Sequence, residues 1–332
     1  MTRRPVLLVA AALFALAACA GGASPSPSAR TSLVVGLGFI PSVQFAPFYL
    51  ADQQGYYEDA GLDVEFQFQI DPDLVTLVGQ GSVDVGSADG TSVIPAVSQG
   101  IPVRYIATVY GSFPSVVFAK ASAGIESAAD LEGARLGIPG RFGSSWIMLQ
   151  ALLGSAGLTP DDVEIVEYPD FGQGVAVAQG AVDAATGFAN NEPVQLELSG
   201  EDVEVLRVDD TIALPGPGLI AGVDTLEEKG DAIRAFVAAT LRTMDEIAAN
   251  PETGLEAAIA AVPELGEQRD AQLAILEATI ETWRSPLTGV GGFGVIDRAG
   301  WEDSLAYMTD LGLVPNTITV DDLVDEGYLP DR

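Results

Sequence analysis

Two groups of polar side chains in this chain have the types and spacing needed to hydrogen-bond a small molecule. Asp89 and Thr91 follow one short apolar stretch, and Asn190, Asn191 and Glu192 follow another. A carboxylate accepts hydrogen bonds from amine or hydroxyl groups, whereas an amide both donates and accepts them. Asp89, Thr91 and Glu192 also stand where a side chain can cap a following helix, so the sequence leaves both roles open.

Aromatic residues offer a second kind of contact near the beginning of the chain. The aromatic candidates, which follow the first predicted strand, are Phe39, Phe45 and Tyr49, and Pro41 and Gln44 between them are candidates as well. Rings in this position can stack on a flat heterocycle, with about 0.5 to 1.5 kcal/mol for each ring pair. Phe45 and Tyr49 are four residues apart, a spacing that also fits the core-facing side of a helix. Phe39 precedes the helix, and its loop position favours a ligand contact.

A third group of candidates lies where a later strand ends and a helix begins. It consists of Phe142, Gly143, Ser144, Ser145 and Trp146. The first turn of a helix has unpaired backbone N–H groups, which attract anions or carbonyl oxygens. Trp146 can stack on a ligand or pack in the core, and the nearby Arg141 can bind an anion or pair with an acidic side chain. Tyr110, at the end of another strand, is a further candidate.

The charges and composition of the chain narrow its chemistry. The candidate site residues include two acids, Asp89 and Glu192, and the one nearby base is Arg141. This balance favours a neutral or amine-bearing planar ring over an anionic solute, because a buried carboxylate needs a hydrogen-bond donor. The chain contains no His and one Cys, which excludes His-based triads, zinc sites and structural disulfides. We therefore expect no catalytic residue, no metal and no cofactor. The net charge of −32 argues against nucleic acid as a partner.

The first thirty residues are typical of an exported protein. Arg3 and Arg4 precede an apolar run, and the run ends in Leu-Ala-Ala followed by Cys19. This order predicts a signal peptide over residues 1–18. The motif resembles the lipobox of bacterial lipoproteins, which implies that Cys19 carries a lipid and anchors the protein on the outer face of the cell membrane. Residues 19–30 are small, polar and rich in proline, and we expect them to form a flexible tether.

A short phrase that occurs twice predicts two similar lobes. Residues 80–84 (QGSVD) are repeated in residues 179–183 (QGAVD). Each copy ends a helical stretch and begins a buried strand, which then runs into a polar loop. In open α/β sheets such loops, at the carboxyl ends of strands, hold ligands. The two loops are therefore expected to face one shared cleft.

Alternating strands and helices predict an α/β fold with mainly parallel sheets covered on both faces. The predicted strands are residues 33–37, 63–68, 83–87, 102–109, 115–119, 135–138, 163–168, 182–186, 203–208 and 218–223. The predicted helices are residues 45–54, 75–80, 92–99, 142–154, 174–179, 229–250, 253–261, 268–282 and 298–311. The chain is expected to cross between lobes near 115–122 and 215–223, so that residues 31–118 and 222–332 form lobe I and residues 119–221 form lobe II. Two such crossings make a hinge.

Several motifs resemble the NMT1/THI5-like solute-binding proteins of ABC importers. They are residues 38–51 (GFIPSVQFAPFYLA), residues 54–64 (QGYYEDAGLDV), residues 130–137 (DLEGARLG), the two QG-x-VD phrases and the closing helix at 301–313. The resemblance covers essentially the whole chain after the tether. It implies a two-lobed periplasmic-binding-protein fold of type II, and a monomeric receptor that delivers a small molecule to an ABC permease and its ATPase.

The resemblance also limits the ligand. It implies a flat heterocyclic nutrient, with a pyrimidine precursor of thiamine as the first choice, riboflavin or another flavin as the alternative, and sulfonate, taurine or nitrate after these. The same superfamily includes pyrimidine synthases that carry a Cys-rich iron motif and a His. This chain has neither, so the resemblance favours a receptor over an enzyme.

Overall fold

Two five-stranded sheets organise the part of the chain described by this computed structural model, which covers residues 30–68, 74–209 and 211–330. The strands are β1 (Thr31–Leu37), β2 (Leu62–Phe68), β3 (Val85–Ala88), β4 (Val103–Thr108), β5 (Ser115–Lys120), β6 (Arg135–Ile138), β7 (Glu164–Glu167), β8 (Ala184–Phe188), β9 (Val203–Arg207) and β10 (Gly218–Gly222). The predicted signal peptide, the candidate lipidation site Cys19 and the tether up to residue 29 lie outside the described residues.

Each sheet is parallel except for one strand. The first sheet has the order β2-β1-β3-β10-β4, with β10 antiparallel to both of its neighbours. The second has the order β7-β6-β8-β5-β9, with β5 antiparallel to β8 and β9. The predicted two-lobed α/β fold with mainly parallel sheets is confirmed. We call the first sheet with its helices lobe I, and the second sheet with its helices lobe II.

Helices cover both sheets. They are α1 (Ala46–Gln53), α2 (Tyr56–Asp59), α3 (Leu74–Gly79), α4 (Gly90–Ser98), α5 (Gly143–Ser155), α6 (Gln173–Gln179), α7 (Glu192–Leu198), α8 (Val223–Ala249), α9 (Pro251–Ala261), α10 (Arg269–Thr282), α11 (Thr288–Gly291) and α12 (Arg298–Asp310). The helices after β10 pack on lobe I, as Phe236 of α8 and Ile275 of α10 illustrate by joining the same apolar core as Leu33 of β1. Helix α8 is kinked at Lys229, where the backbone is not helical. Among the described residues, no helix combines the length and the apolar character needed to cross a membrane.

The repeated phrase has the same structural role in both lobes. Asp84 accepts a hydrogen bond from the Val34 backbone N–H at 2.9 Å and pairs with Lys229 at 2.8 Å. Asp183 accepts one from the Arg135 backbone N–H at 2.9 Å and pairs with the guanidinium of the same residue at 2.7 Å. Each carboxylate therefore holds a neighbouring parallel strand, at the end of the sheet away from the polar loops.

The chain crosses between the lobes at residues 109–114 and at residues 208–209 and 211–217. These crossings differ from the lobe bounds predicted from sequence, because β5 pairs entirely within the second sheet and β10 within the first. Residues 115–118 therefore belong to lobe II and residues 218–221 to lobe I. The two crossings touch, since the Pro217 carbonyl oxygen accepts hydrogen bonds from the Val109 and Tyr110 N–H groups at 3.1 and 2.8 Å.

The lobes are in contact at two places. Val194 of α7 packs against the core of lobe I, and Ile147 of α5 packs in a cluster with Val93 and Ile94 of α4. These contacts join helices of different lobes, and we call this arrangement of the lobes closed.

Candidate functional site

A cavity of about 290 Å³ lies between the lobes, where the carboxyl ends of strands from both sheets face each other. Lobe I and the two crossings line it with Gly38, Phe39, Gln44, Phe45, Leu74, Val75, Ser87, Ala88, Asp89, Ser92, Tyr110 and Pro217. Lobe II lines it with Pro139, Phe142, Gly143, Ser144, Ser145, Phe171, Gln173, Gly187, Phe188, Asn191 and Glu192. Its volume is close to the lower end of the ~300–1,000 Å³ typical of small-molecule sites.

Most of the site residues predicted from sequence border this cavity. They are Phe39, Gln44, Phe45, Asp89, Tyr110, Phe142, Gly143, Ser144, Ser145, Asn191 and Glu192. Five predicted site residues are not part of its lining: Pro41, Tyr49, Thr91, Trp146 and Asn190. Tyr49 lies in the core, Thr91 and Trp146 in the first turns of α4 and α5, Asn190 between the lobes, and Pro41 is exposed in the loop after β1.

Asp89 caps a helix and borders the cavity at the same time. Its Oδ1 accepts hydrogen bonds from the Ser92 N–H at 3.1 Å and from the Thr91 hydroxyl at 2.6 Å, so the capping role is real. Thr91 is buried and serves this carboxylate rather than the cavity. Burial raises the pKa of Asp89, and the hydrogen bonds from Thr91 and Ser92 oppose that shift. A ligand N–H or O–H would stabilise the ionised form further.

Glu192 is the first residue of α7, and its side chain turns back toward the preceding strand. Its Oε2 accepts a hydrogen bond from the Phe188 N–H at 2.9 Å. A Cβ on Gly187 would lie only 2.9 Å from this oxygen, so the close approach of the carboxylate depends on glycine at that position. Burial raises the pKa of Glu192 and the Phe188 N–H partly offsets it. The carboxylate therefore fixes the end of β8 and still borders the cavity.

Aromatic rings from both lobes meet across the cavity. The rings of Phe39 in lobe I and Phe171 in lobe II are edge to face, with centroids 6.1 Å apart and planes at 82°. Phe142 is 57% exposed at the mouth of the cavity, and its ring lies over Gly140, where a Cβ would come within 2.3 Å of it. Tyr49 instead packs against Phe68 in the core, and burial raises its pKa to about 12.

Four side chains form a hydrogen-bond network beside the cavity, which we call the rim network: Gln44, Tyr110, Asn190 and Thr279. The Asn190 amide N–H₂ donates to Gln44 Oε1 at 3.1 Å and to Thr279 Oγ1 at 2.9 Å. The Tyr110 hydroxyl donates to the same Gln44 oxygen at 3.2 Å. Asn190 belongs to lobe II, and its two acceptors belong to lobe I. In this structure, Asn190 joins the lobes to each other rather than bordering the cavity.

The only candidate cation predicted from sequence is engaged outside the cavity. Arg141 pairs with Glu167 at 3.3 Å, and its guanidinium lies 5.4 Å from the centroid of the Trp146 ring. None of the described residues that line the cavity is Lys or Arg. The cavity wall therefore combines two carboxylates with hydrogen-bonding and aromatic groups.

Sequence reasoning missed several wall residues, above all Phe171 and Gln173. Phe171 lies between β7 and α6, and Gln173 is the first residue of α6. The same rule that selected the loops after β1, β3, β6 and β8 applies to the carboxyl end of β7 and would have found them. Phe171 also has a backbone φ of 60°, a conformation that costs a residue with a Cβ about 1–2 kcal/mol. Such strain is concentrated at functional sites.

Comparisons with known proteins agree with this geometry. The sequence model of a family described as "NMT1/THI5 like" matches residues 42–254. The chain is 33% identical over 321 residues to the riboflavin-binding protein RibY of Chloroflexus aurantiacus, and this match covers 94% of this chain and 91% of that protein. It is 27% identical over 313 residues to the formylaminopyrimidine-binding protein of Halalkalibacterium halodurans, and this match covers 91% of this chain and 92% of that protein.

Enzymes and solved structures are also among the similar proteins. The chain is 27% identical over 316 residues to the 4-amino-5-hydroxymethyl-2-methylpyrimidine phosphate synthase of Legionella pneumophila, which covers 92% of this chain and 94% of the enzyme. The crystal structure of the periplasmic aliphatic sulphonate binding protein SsuA from Escherichia coli matches with a TM-score of 0.70 at 17% identity, over 89% of this chain and 97% of that one. At this low identity, the structural match establishes the fold alone.

Proposed function

The chain belongs to the NMT1/THI5-like family, and we propose that it is the solute-binding receptor of an ABC importer, which captures a flat, uncharged heterocycle of the flavin class. Closure of the two lobes around the solute would prepare the receptor for the permease. A ligand that contacts both lobes stabilises their closed arrangement by its differential affinity for it. The cavity wall is divided between the lobes, as this mechanism requires.

The observation that carries the proposal is the composition of the cavity wall. Five phenylalanines line it: Phe39, Phe45, Phe142, Phe171 and Phe188. Extended aromatic walls suit a ring system larger than a single pyrimidine, because the gain from stacking and burial grows with the area covered. We therefore prefer a three-ring flavin to the thiamine precursor that the sequence alone favoured. The similarity to the riboflavin-binding protein, at 33% identity against 27% for the formylaminopyrimidine-binding protein, supports the same choice.

A free aminopyrimidine is the second candidate. Asp89 and Glu192 are acids whose burial raises the pKa, and an exocyclic amine would give either carboxylate a hydrogen-bond donor. The formylaminopyrimidine-binding relative supports this alternative. It requires fewer aromatic contacts than the wall provides, which is why we rank it second.

Anionic solutes fit the cavity poorly. Two carboxylates and no Lys or Arg stand among the described residues that line it, so a phosphate, sulfonate or nitrate would meet like charge with no cationic side chain to pair with. We infer that the receptor takes the uncharged form of its ligand and rejects the phosphorylated form.

We also propose a receptor without catalysis, held outside the cytoplasm by a lipid. The chain has no His, and its single Cys is Cys19, within the predicted lipobox. A cysteine that carries a lipid is not free to serve as a nucleophile or an iron ligand. The lipid would tether the lobes near the permease at the membrane surface.

The decisive experiment is a ligand panel read by thermal unfolding and calorimetry. The panel consists of riboflavin, riboflavin 5′-phosphate, 4-amino-5-hydroxymethyl-2-methylpyrimidine, taurine and nitrate. Riboflavin at 100 times its Kd should stabilise the protein by about 2.7 kcal/mol and raise its Tm by about 5 °C or more. Glu192→Gln should reduce this shift, whereas Glu197→Gln, an exposed change in the same helix, should preserve it.

The outcomes separate the candidates. Protection by the aminopyrimidine without riboflavin would favour the second candidate. Protection by taurine or nitrate alone would overturn the ligand assignment while leaving a binding protein in place. Equal affinity for riboflavin and its 5′-phosphate would contradict the inferred rejection of anions.

A further inference from the structure

Gln173 has a buried side-chain oxygen to which no described residue donates a hydrogen bond. It is the first residue of α6, borders the cavity and is only 1% exposed. Its Oε1 is buried and has no hydrogen-bond partner among the described residues. A buried acceptor without a partner destabilises the folded state, and in a native protein such an atom calls for an explanation.

The start of the Gln173 side chain is closely packed. Gly137 lies beside it, and a Cβ on that glycine would approach the Gln173 Cβ to 3.2 Å. A Cβ on the next residue, Gly174, would lie 3.2 Å from Glu192 Cγ, so the Glu192 side chain runs along the start of α6. The Glu192 carboxylate accepts a hydrogen bond from the Phe188 N–H. Gln173 and Glu192 thus border the same cavity from adjacent positions on its wall.

We propose that Gln173 determines ligand specificity by hydrogen-bonding the polar edge of a planar ring. A carboxamide has a donor and an acceptor side by side, which match a ring edge that carries an N–H group next to a carbonyl oxygen. The pyrimidine-like edge of a flavin has this pattern at its N3–H group. This inference rests on the proposed function, because it names the group that reads the ligand in the same cavity.

The experiment compares riboflavin with 3-methylriboflavin, in which a methyl group replaces the N3 hydrogen. Wild-type protein should bind riboflavin more tightly than the methylated form. Gln173→Met, which keeps the length of the side chain and removes the amide, should weaken riboflavin binding about 5- to 150-fold and abolish the preference between the two ligands. Gln179→Met, an exposed change at the other end of α6, is the matched control and should leave both affinities unchanged.

A second measurement uses the ligand-free protein. Because the amide oxygen has no described partner there, Gln173→Met should leave the Tm unchanged or raise it, whereas loss of a structural hydrogen bond would lower it. A Tm lowered by several degrees would overturn the proposal, and so would a variant that still prefers riboflavin to 3-methylriboflavin. Failure of wild-type protein to bind riboflavin would instead refute the flavin assignment. The ligand-free Tm would then still test the role of Gln173.

Discussion

The rim network makes a quantitative prediction about closure of the lobes. Asn190 is fully buried, lies outside the cavity lining and donates to Gln44 and Thr279 across the gap between the lobes. Asn190→Ala removes both hydrogen bonds, each of which contributes about 0.5–1.5 kcal/mol. The Asn190 Oδ1 is buried without a partner, and its removal returns part of the loss. We therefore expect the closed arrangement to lose about 1–2 kcal/mol.

This loss should appear as weaker ligand binding although Asn190 itself is not part of the cavity lining. If only the closed form holds the ligand, the Kd rises as the population of that form falls, by at most about 5- to 30-fold. Calorimetry with riboflavin measures the Kd, and small-angle X-ray scattering of the ligand-free protein should record a larger radius of gyration. Thr279→Val, which removes one of the two acceptors, should have a smaller effect in the same direction.

Gln195→Ala is the matched control for Asn190→Ala. Gln195 lies in α7, five residues after Asn190, and its amide donates at 2.8 Å to Asn191 within lobe II, so the substitution breaks no bond between lobes. It should leave the radius of gyration unchanged. If Asn190→Ala binds riboflavin as tightly as wild-type protein does, the rim network does not hold the lobes together and the reasoning is wrong.

Two further predictions concern stability. Burial raises the pKa of Glu192 above its ordinary 4.5, so the folded protein keeps a proton that the unfolded chain releases, and the contribution of this group to stability falls as pH rises through that window. Glu192→Gln cannot titrate and should therefore gain stability relative to wild-type protein as the pH of urea unfolding experiments increases from about 4 to 7. In the same assay at neutral pH, Asp84→Ala should lower the free energy of unfolding by about 1–3 kcal/mol, because it leaves the Val34 N–H unpaired and takes the carboxylate away from the Lys229 ammonium, which keeps only its hydrogen bond to the Ser32 carbonyl oxygen. Asp183→Ala should cost less, since its side chain is 39% exposed against 10% for Asp84; equal losses would contradict the role assigned to burial.

Local patterns predicted the elements of this fold well. Most strand and helix bounds agree with the structure to within two residues, because alternating or continuous apolar runs end at Gly-containing turns such as Gly81 and Gly180, both at positive φ. The crossings were less predictable. The apolar run at 115–119 fits a return strand of either sheet, and its pairing with β8 and β9 depends on contacts between distant parts of the chain.

In the candidate site, too, local sequence predicted some features, and others depend on contacts between distant parts of the chain. The rule that ligands lie at strand carboxyl ends located Phe39, Asp89 and Glu192 at the cavity. It could not predict that Asn190, only two residues from Glu192, would reach Gln44 and Thr279, because those partners are far away in sequence. Predictions based on the spacing of nearby residues contain no information on such contacts.

The carbonyl oxygen of Pro217 joins the two crossings, because it accepts hydrogen bonds from both Val109 and Tyr110. Because the two crossings are joined at this point, we expect them to bend together when one lobe rotates against the other. Large and small solutes would then be enclosed by the same rotation of one lobe relative to the other. Discrimination among solutes must therefore come from the side chains that contact them in the closed cavity, and not from the extent of lobe closure.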